Sequence, residues 1–142
     1  IDVTDKLRDP KITAAARYIA AEPKARQKLV QMQRQFAAGC DKIVTEGRDQ
    51  GTVAFADADI KFFLTAEPGE RARRRQAELL AKGVREPLEQ IQRAIEERDK
   101  SDESRSVGPL RPAKDAIIVD TTNLNIEEVV EKLLGFVKEK CL

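Results

Sequence analysis

Two groups of residues in this chain have types and spacings that can do chemistry. The first is Glu46-Gly47-Arg48-Asp49-Gln50-Gly51-Thr52, which follows the short apolar run Ile43-Val44. A buried strand running out into a loop has this pattern, and in an open α/β sheet that edge is where ligands bind. Gly47 lets backbone and ligand come close. The second group is Arg98, Asp102 and Arg105, spaced i, i+4, i+7. At 100° per residue these three fall within a helical arc of about 60°. One carboxylate between two guanidiniums on a shared face can hold a sugar diol and flank a phosphate. Together the two groups point to a site for a nucleoside monophosphate. Taken singly, each has a plainer explanation. The first is then a turn with solvated charges, and the second a surface ion pair worth a few tenths of a kcal/mol, roughly, in a charge-dense stretch.

Other residues qualify this picture. Arg71, Arg73, Arg74 and Arg75 crowd the start of a helix, where the dipole disfavours cations. That placement hints at an anionic partner, although a solvated face also accounts for it. Arg26 stands in the first turn of a helix opened by Pro23. Histidine is absent from the chain, which removes Ser-His and Cys-His nucleophiles and histidine-based zinc sites. Carboxylate and arginine chemistry remains. Phosphoryl transfer, which rests on positioning and charge neutralisation, needs no histidine.

Composition bounds the partners. Charged residues make up 36% of 142 residues, yet the formal net charge is only +1. A general nucleic-acid or anionic-membrane surface would need a lasting excess of Lys and Arg, so anion recognition must come from local groups of arginines. No apolar run approaches the roughly 18 residues of a membrane span, and no signal-peptide pattern opens the chain. The two cysteines, Cys40 and Cys141, are far apart and lack ligand-like spacing; a reducing cytoplasm is the simplest reading.

The elements that must position these groups alternate between helix and strand. Pro10 can open one helix through Ile12, Ala14, Ala15, Ala16 and Ala20, and Pro23 another through Leu29, Val30, Met32 and Phe36, ending at Gly39 and Cys40. Strands are predicted over 42–46, 60–65 and 116–120 (Ala-Ile-Ile-Val-Asp), the last apolar enough for a buried parallel strand. Pro68 starts a charged helix that stops at Gly83. Pro87 begins another with Leu88, Ile91 and Ile95 on its apolar side. The stretch 101–108 reads as a polar exit. Asn125 and Glu128 form a capping-box pattern for a last helix, whose predicted buried face is Val129, Val130, Leu133, Leu134 and Val137. This alternation predicts a parallel α/β sheet.

Taken in order, Leu7-Arg8, Glu22-Pro23-Lys24-Ala25-Arg26, Gly47-Arg48-Asp49-Gln50-Gly51-Thr52, Lys61-Phe62-Phe63-Leu64, Glu70-Arg71-Ala72-x-Arg74-Arg75, Glu97-Arg98-Asp99-x-x-Asp102-x-x-Arg105 and Pro109-Leu110 resemble the bacterial cytidylate kinases. The likeness covers essentially the whole chain, and the ordered series is far more specific than any one motif. It implies a P-loop nucleoside monophosphate kinase fold with a doubly wound parallel sheet. It also implies transfer of a phosphoryl group from ATP to CMP or dCMP, with Mg²⁺ accompanying ATP. By this resemblance Arg26 and Asp49 recognise cytosine, Arg48 and Arg105 bind the CMP phosphate and serve as the catalytic arginines, Asp102 holds the sugar hydroxyls, and Arg98 lies beside it. Arg71, Arg74 and Arg75 belong to the helix that leads into the mobile lid over ATP. Residues 1–40 correspond to part of the CMP-binding insert and the following helix. Residues 41–142 correspond to the C-terminal part of the kinase core, with a lid-like region at about 70–108. A cytoplasmic enzyme, monomeric when complete, with no nucleic-acid or membrane partner and no protein-bound metal, is the matching expectation.

The pattern departs from that family at two points. A serine that contacts the base usually stands where this chain has Arg17, and a long cation cannot imitate a hydroxyl. No Gly-x-x-x-x-Gly-Lys-Ser/Thr run occurs in the 142 residues. The likeness is therefore to the C-terminal two thirds of such a kinase, without its first, P-loop strand, and this stretch by itself is expected to be inactive. The alternative is a non-catalytic nucleotide-binding or interaction module that has lost the P-loop. A third reading is a structural helical module whose arginines pair only with its own carboxylates.

Overall fold

A computed structural model of the chain describes Ile12, Ile19 and residues 22–141. Ile12 and Ile19 are helical, in line with the helix predicted from Pro10; the rest of that helix, the pair Leu7-Arg8 and Arg17 lie outside the described residues. Among those described, the order is helix α1 (Pro23–Ala37), a single wide turn (Gln50–Ala54), strand β1 (Phe62–Thr65), helices α2 (Pro68–Ala81) and α3 (Leu88–Glu103), strand β2 (Ile117–Asp120) and helix α4 (Ile126–Cys141).

The strands β1 and β2 pair in parallel, Phe62 opposite Ile117 and Thr65 opposite Asp120. Parallel strands need a long crossover, and here the α2–α3 hairpin supplies it. Gly83, with φ +76°, makes the hairpin turn possible: its N–H reaches the Leu80 carbonyl at 2.9 Å, and the Val84 N–H reaches that of Leu79 at 2.9 Å. This double closure is the Schellman pattern, in which a left-handed residue satisfies the last helical carbonyls. The hairpin is antiparallel, so Arg71 near the start of α2 meets Asp99 near the end of α3. Beyond β2, the capping box forms as predicted. The Asn125 N–H donates to Glu128 Oε2 at 2.8 Å, and the Glu128 N–H to Asn125 Oδ1 at 2.9 Å. Helix α4 then lays Phe136 against Phe62 of β1, with ring centroids 6.1 Å apart.

Three expectations are corrected. Residues 42–46 form no strand. They run as an unpaired stretch with Val44 99% exposed: the two-stranded sheet pairs β1 only with β2, and apolar character alone does not make a ladder. Residues 101–108 are not wholly an exit: α3 continues to Glu103, and its last turn buries Asp102. On α4, Val129, Leu133 and Val137 are half-buried, but Val130 and Leu134 are about half exposed. Two strands are too narrow to cover the whole apolar face of a helix, since neighbouring strands lie only about 4.8 Å apart.

The apolar core of the described residues is thin: Ala54, Ala66, Ala72, Ile91 and Val119. Three of these are alanines, which contribute little burial, while Ile and Val contribute about 1.5–3 kcal/mol each. Leu29, Met32 and Phe36 on α1 and Leu64 and Ile118 on the sheet stay exposed. A polypeptide of residues 1–142 studied alone is therefore expected to unfold over a broad thermal range and to protect its amides weakly. Differential scanning calorimetry and hydrogen exchange read both properties, and a sharp, high-enthalpy melt would contradict the expectation.

Candidate functional site

The site assembles around the end of α3. Asp102 is only 1% exposed, and a buried carboxylate must be compensated by charge or hydrogen bonds. Three guanidiniums supply the compensation. Arg105 pairs with Oδ1, Arg48 Nε stands 3.1 Å from Oδ2, and Arg98 Nε stands 3.8 Å from the same oxygen. Oδ2 accepts no hydrogen bond within the protein, so charge alone holds it in place. Arg98 and Asp102 share the α3 face as their spacing predicts. Arg105 does not continue the helix, which ends at Glu103; it folds back from the following loop. The Leu110 N–H fixes that loop by donating to the Asp102 carbonyl at 2.9 Å.

One turn earlier on α3, Asp99 faces Arg48 again and one further arginine, Arg71. Arg48 Nη1 lies 3.4 Å from its Oδ1, and Arg71 Nη1 donates to its Oδ2. Four guanidiniums (Arg48, Arg71, Arg98, Arg105) thus surround two carboxylates (Asp99, Asp102). The group carries two positive charges in excess, and planar arginine forks are suited to phosphate oxygens.

The second part of the site is the pair Arg26–Asp49. Both side chains are nearly covered. Burial lowers the pKa of Arg26 from its ordinary value, and nearby Arg105 lowers it further, while Asp102 opposes the shift. The pair is therefore in electrostatic contact with the Asp102 group. Arg26 is placed by the first turn of α1, which Glu22 caps and Pro23 opens. Asp49 is placed by the wide turn that follows it. Its carbonyl takes N–H groups from Thr52, Val53 and Ala54, and the Phe55 N–H bonds to the Gln50 carbonyl at 2.7 Å. Arg34 on α1 holds this turn from outside, donating from Nε to the Ala54 carbonyl at 2.6 Å and from Nη2 to that of Val53 at 2.8 Å.

The remaining predicted arginines diverge. Arg74 donates to Thr121 Oγ1 at 3.2 Å and to the Thr121 carbonyl at 2.6 Å, and also to the Leu124 carbonyl, which ties α2 to the carboxyl end of β2. Arg75 pairs with Glu78 and Arg73 with Glu70 on the helix surface. The cations of α2 that stand against the helix dipole thus have anionic partners within the chain, and of this set only Arg71 reaches the Asp99–Asp102 group. Sequence reasoning missed Asp99, Arg34 and Gly108 as parts of the site. Asp99 lay in the charge-dense run with nothing in its spacing to distinguish it. No local signal marks Arg34.

The family profile that matches this chain, over residues 1–139, is described as cytidylate kinase. The chain belongs to the cytidylate kinase family. It is 50% identical to the cytidylate kinase of Fervidobacterium nodosum over 98% of its own length and 63% of that protein. It is 46% identical to the cytidylate kinase of Desulfitobacterium hafniense, over 99% of the chain and 60% of the relative. A bifunctional pantoate ligase/cytidylate kinase of Synechococcus is 45% identical over 94% of this chain, which spans 24% of that longer protein. The chain thus spans about 60% of the length of the first two cytidylate kinases.

Gly108 gives this site its clearest test. Its φ is +62°, and a Cβ there would lie 2.6 Å from Arg26 Nη2 and 2.7 Å from Asp49 Oδ2. Gly108→Ala is expected to cost at least about 1–2 kcal/mol of stability in the whole protein from left-handed strain alone, and also to push the Arg26–Asp49 pair apart. At Gly39 an added Cβ meets only the Phe36 carbonyl, at 3.6 Å, so Gly39→Ala serves as a near-neutral control. Denaturant midpoints compare the two, and equal midpoints would mean that the loop carrying Gly108 does not hold the pair.

Proposed function

We propose that these residues form the acceptor half of an ATP-dependent kinase of CMP and dCMP. The observation that carries this reading is the four-arginine, two-aspartate group, two charges in excess, lying in electrostatic contact with the Arg26–Asp49 pair. A cytidine monophosphate presents a dianionic phosphate, a sugar hydroxyl edge and a polar base edge, and the group has chemistry for each. Arg48 and Arg105 take the phosphate oxygens. Asp102 takes the sugar hydroxyl through Oδ2, its oxygen without a hydrogen bond. Arg98, 69% exposed and 3.8 Å away, is the cation that can most cheaply swing aside to admit it. Arg26 and Asp49, donor and acceptor side by side, match the mixed edge of cytosine.

In the reaction, an oxygen of the acceptor phosphate attacks the γ-phosphorus of ATP, the bond to the β-phosphate oxygen breaks, and ADP leaves. Two anions must approach each other for this. Arg48 and Arg105 offset their repulsion and hold the nucleophilic oxygen in line, where most of the rate gain of phosphoryl transfer arises. Mg²⁺ arrives with ATP as part of the substrate. Among the described residues no cluster of acidic, histidine or cysteine side chains is arranged to cage a metal. The cradle for the ATP phosphates is sought outside these residues. The same reading includes the doubly wound P-loop sheet and the division into 1–40 and 41–142 with a lid-like region at about 70–108. It also includes a lid role for Arg71, Arg74 and Arg75 and a monomeric, cytoplasmic enzyme acting on small molecules rather than on nucleic acid or membrane. No helix among the described residues is long and apolar enough to cross a membrane.

The whole protein is expected to form CDP from CMP, ATP and Mg²⁺ in a coupled ADP-release assay. CMP binding without turnover would leave a nucleotide-binding module, and no CMP binding at all would remove the acceptor assignment. Arg48→Lys should not be conservative. A point charge loses the two-pronged contact with the phosphate, and turnover should fall by about an order of magnitude or more, equivalent to about 1.4 kcal/mol of barrier. Near-normal turnover would reduce Arg48 to a structural ion pair. Asp102→Asn should weaken CMP binding by about 1.5–3 kcal/mol, the scale of a charge-assisted hydrogen bond, as read by isothermal titration calorimetry. An unchanged affinity would take Asp102 out of the sugar contact.

A further inference from the structure

We propose that Asp99 is a positioning residue that draws Arg71 of α2 into the acceptor-phosphate group and sets the direction of Arg48. The inference rests on the reading of Arg48 as a phosphate ligand. Arg48 is held by two carboxylates at once: Nε faces Asp102 at 3.1 Å, and Nη1 faces Asp99 at 3.4 Å. Two anchors on different nitrogens fix the plane of a guanidinium, whereas one leaves it free to swivel. The fork offers five N–H groups in a rigid plane, so fixing the plane directs the remaining donors. Asp99 uses its other oxygen on Arg71, and both aspartates belong to the last two turns of α3.

Among the described residues, the Asp99 bridge is the ion-pair link between α2 and the loop that carries Arg48. Arg71 reaches this position because the hairpin is antiparallel. Its helix neighbours Arg73 and Arg74 turn instead to Glu70, and Arg75 turns to Glu78. The side chain of Asp99 is 15% exposed and those of Arg48 and Arg71 are about one third exposed, so the bridge is sheltered while its cations remain reachable. An incoming phosphate competes with Asp99 for Arg48 and, in doing so, comes within reach of Arg71. Asp99 thereby places a second helix's cation beside the acceptor phosphate.

Two opposing effects give the inference a sign. Asp99 is an anion close to an anion site. If charge alone mattered, Asp99→Asn would tighten phosphate binding. If positioning dominates, Asp99→Asn loosens it. The test is a double-mutant cycle in the whole protein with Asp99→Asn, Arg71→Gln and the combination, titrated calorimetrically with CMP and with cytidine, which lacks the phosphate. Asp99→Asn and Arg71→Gln should each raise the Kd for CMP by about tenfold, equivalent to about 1.4 kcal/mol. The double variant should be no worse than either single one, the mark of residues acting through one contact. Cytidine binding should be unchanged, and Asp99→Glu should recover part of the CMP affinity. Tighter CMP binding by Asp99→Asn, additive single effects, or equal losses for CMP and cytidine would each overturn the inference. If Asp99→Asn does not fold, Arg71→Gln and Asp99→Glu still decide it through the CMP-against-cytidine comparison. A wild-type protein that binds no CMP overturns the acceptor assignment first, and this inference with it.

Discussion

A carboxylate buried to 1% exposure at the end of a helix is the constraint on which the rest of this structure depends. Taking a charge out of water costs several kcal/mol, of the order of the whole stability margin of a domain, unless opposite charge surrounds it. Asp102 meets the requirement with arginines from three places: the loop before the wide turn, its own helix, and the loop after the helix. The compensation therefore also ties segments distant in the chain to one point. Each arginine is placed by a carboxylate and retains donors, so the group that stabilises the fold remains able to receive an anion.

The rest of the architecture secures that point with polar contacts more than with apolar packing. Arg34 holds the wide turn that presents Asp49, and Arg74 holds the loop between β2 and α4. Thr121 crosses to the Thr65 carbonyl with both its N–H and its hydroxyl, at 2.8 and 3.0 Å. Lys61 closes the entry to β1 by bonding to Asp115. Backbone carbonyls accept several of these bonds, and such contacts give direction where a small core gives little.

Much of the local structure was legible in the sequence because its causes lie within a few residues. Prolines opened α1 and α2 where predicted, Gly83 ended α2, and Asn125 with Glu128 capped α4. The short apolar runs over 60–65 and 116–120 became β1 and β2, each trimmed at its start. Arg98 and Asp102 shared a helical face because helix spacing alone puts them there. The ordered motifs also carried the family, since a series of matches along the whole chain constrains identity more tightly than any single one.

What the sequence could not determine depends on groups that meet only when the chain folds. Residues 42–46 have the composition of a strand, but a strand exists only with a partner edge, which composition does not reveal. The exposed half of α4 follows from the width of the sheet, a property of no single segment. Asp99 became a bridge because an antiparallel hairpin brought Arg71 to it, and Gly108 has no room for a Cβ because Arg26 and Asp49 lie over it. By itself the sequence determined which segments turn into helices, where they stop and which charges are available. Tertiary structure decided which of those charges meet, because Coulombic and hydrogen-bonding energies depend on distances of a few ångströms between residues far apart in the chain, such as Arg48 and Asp102.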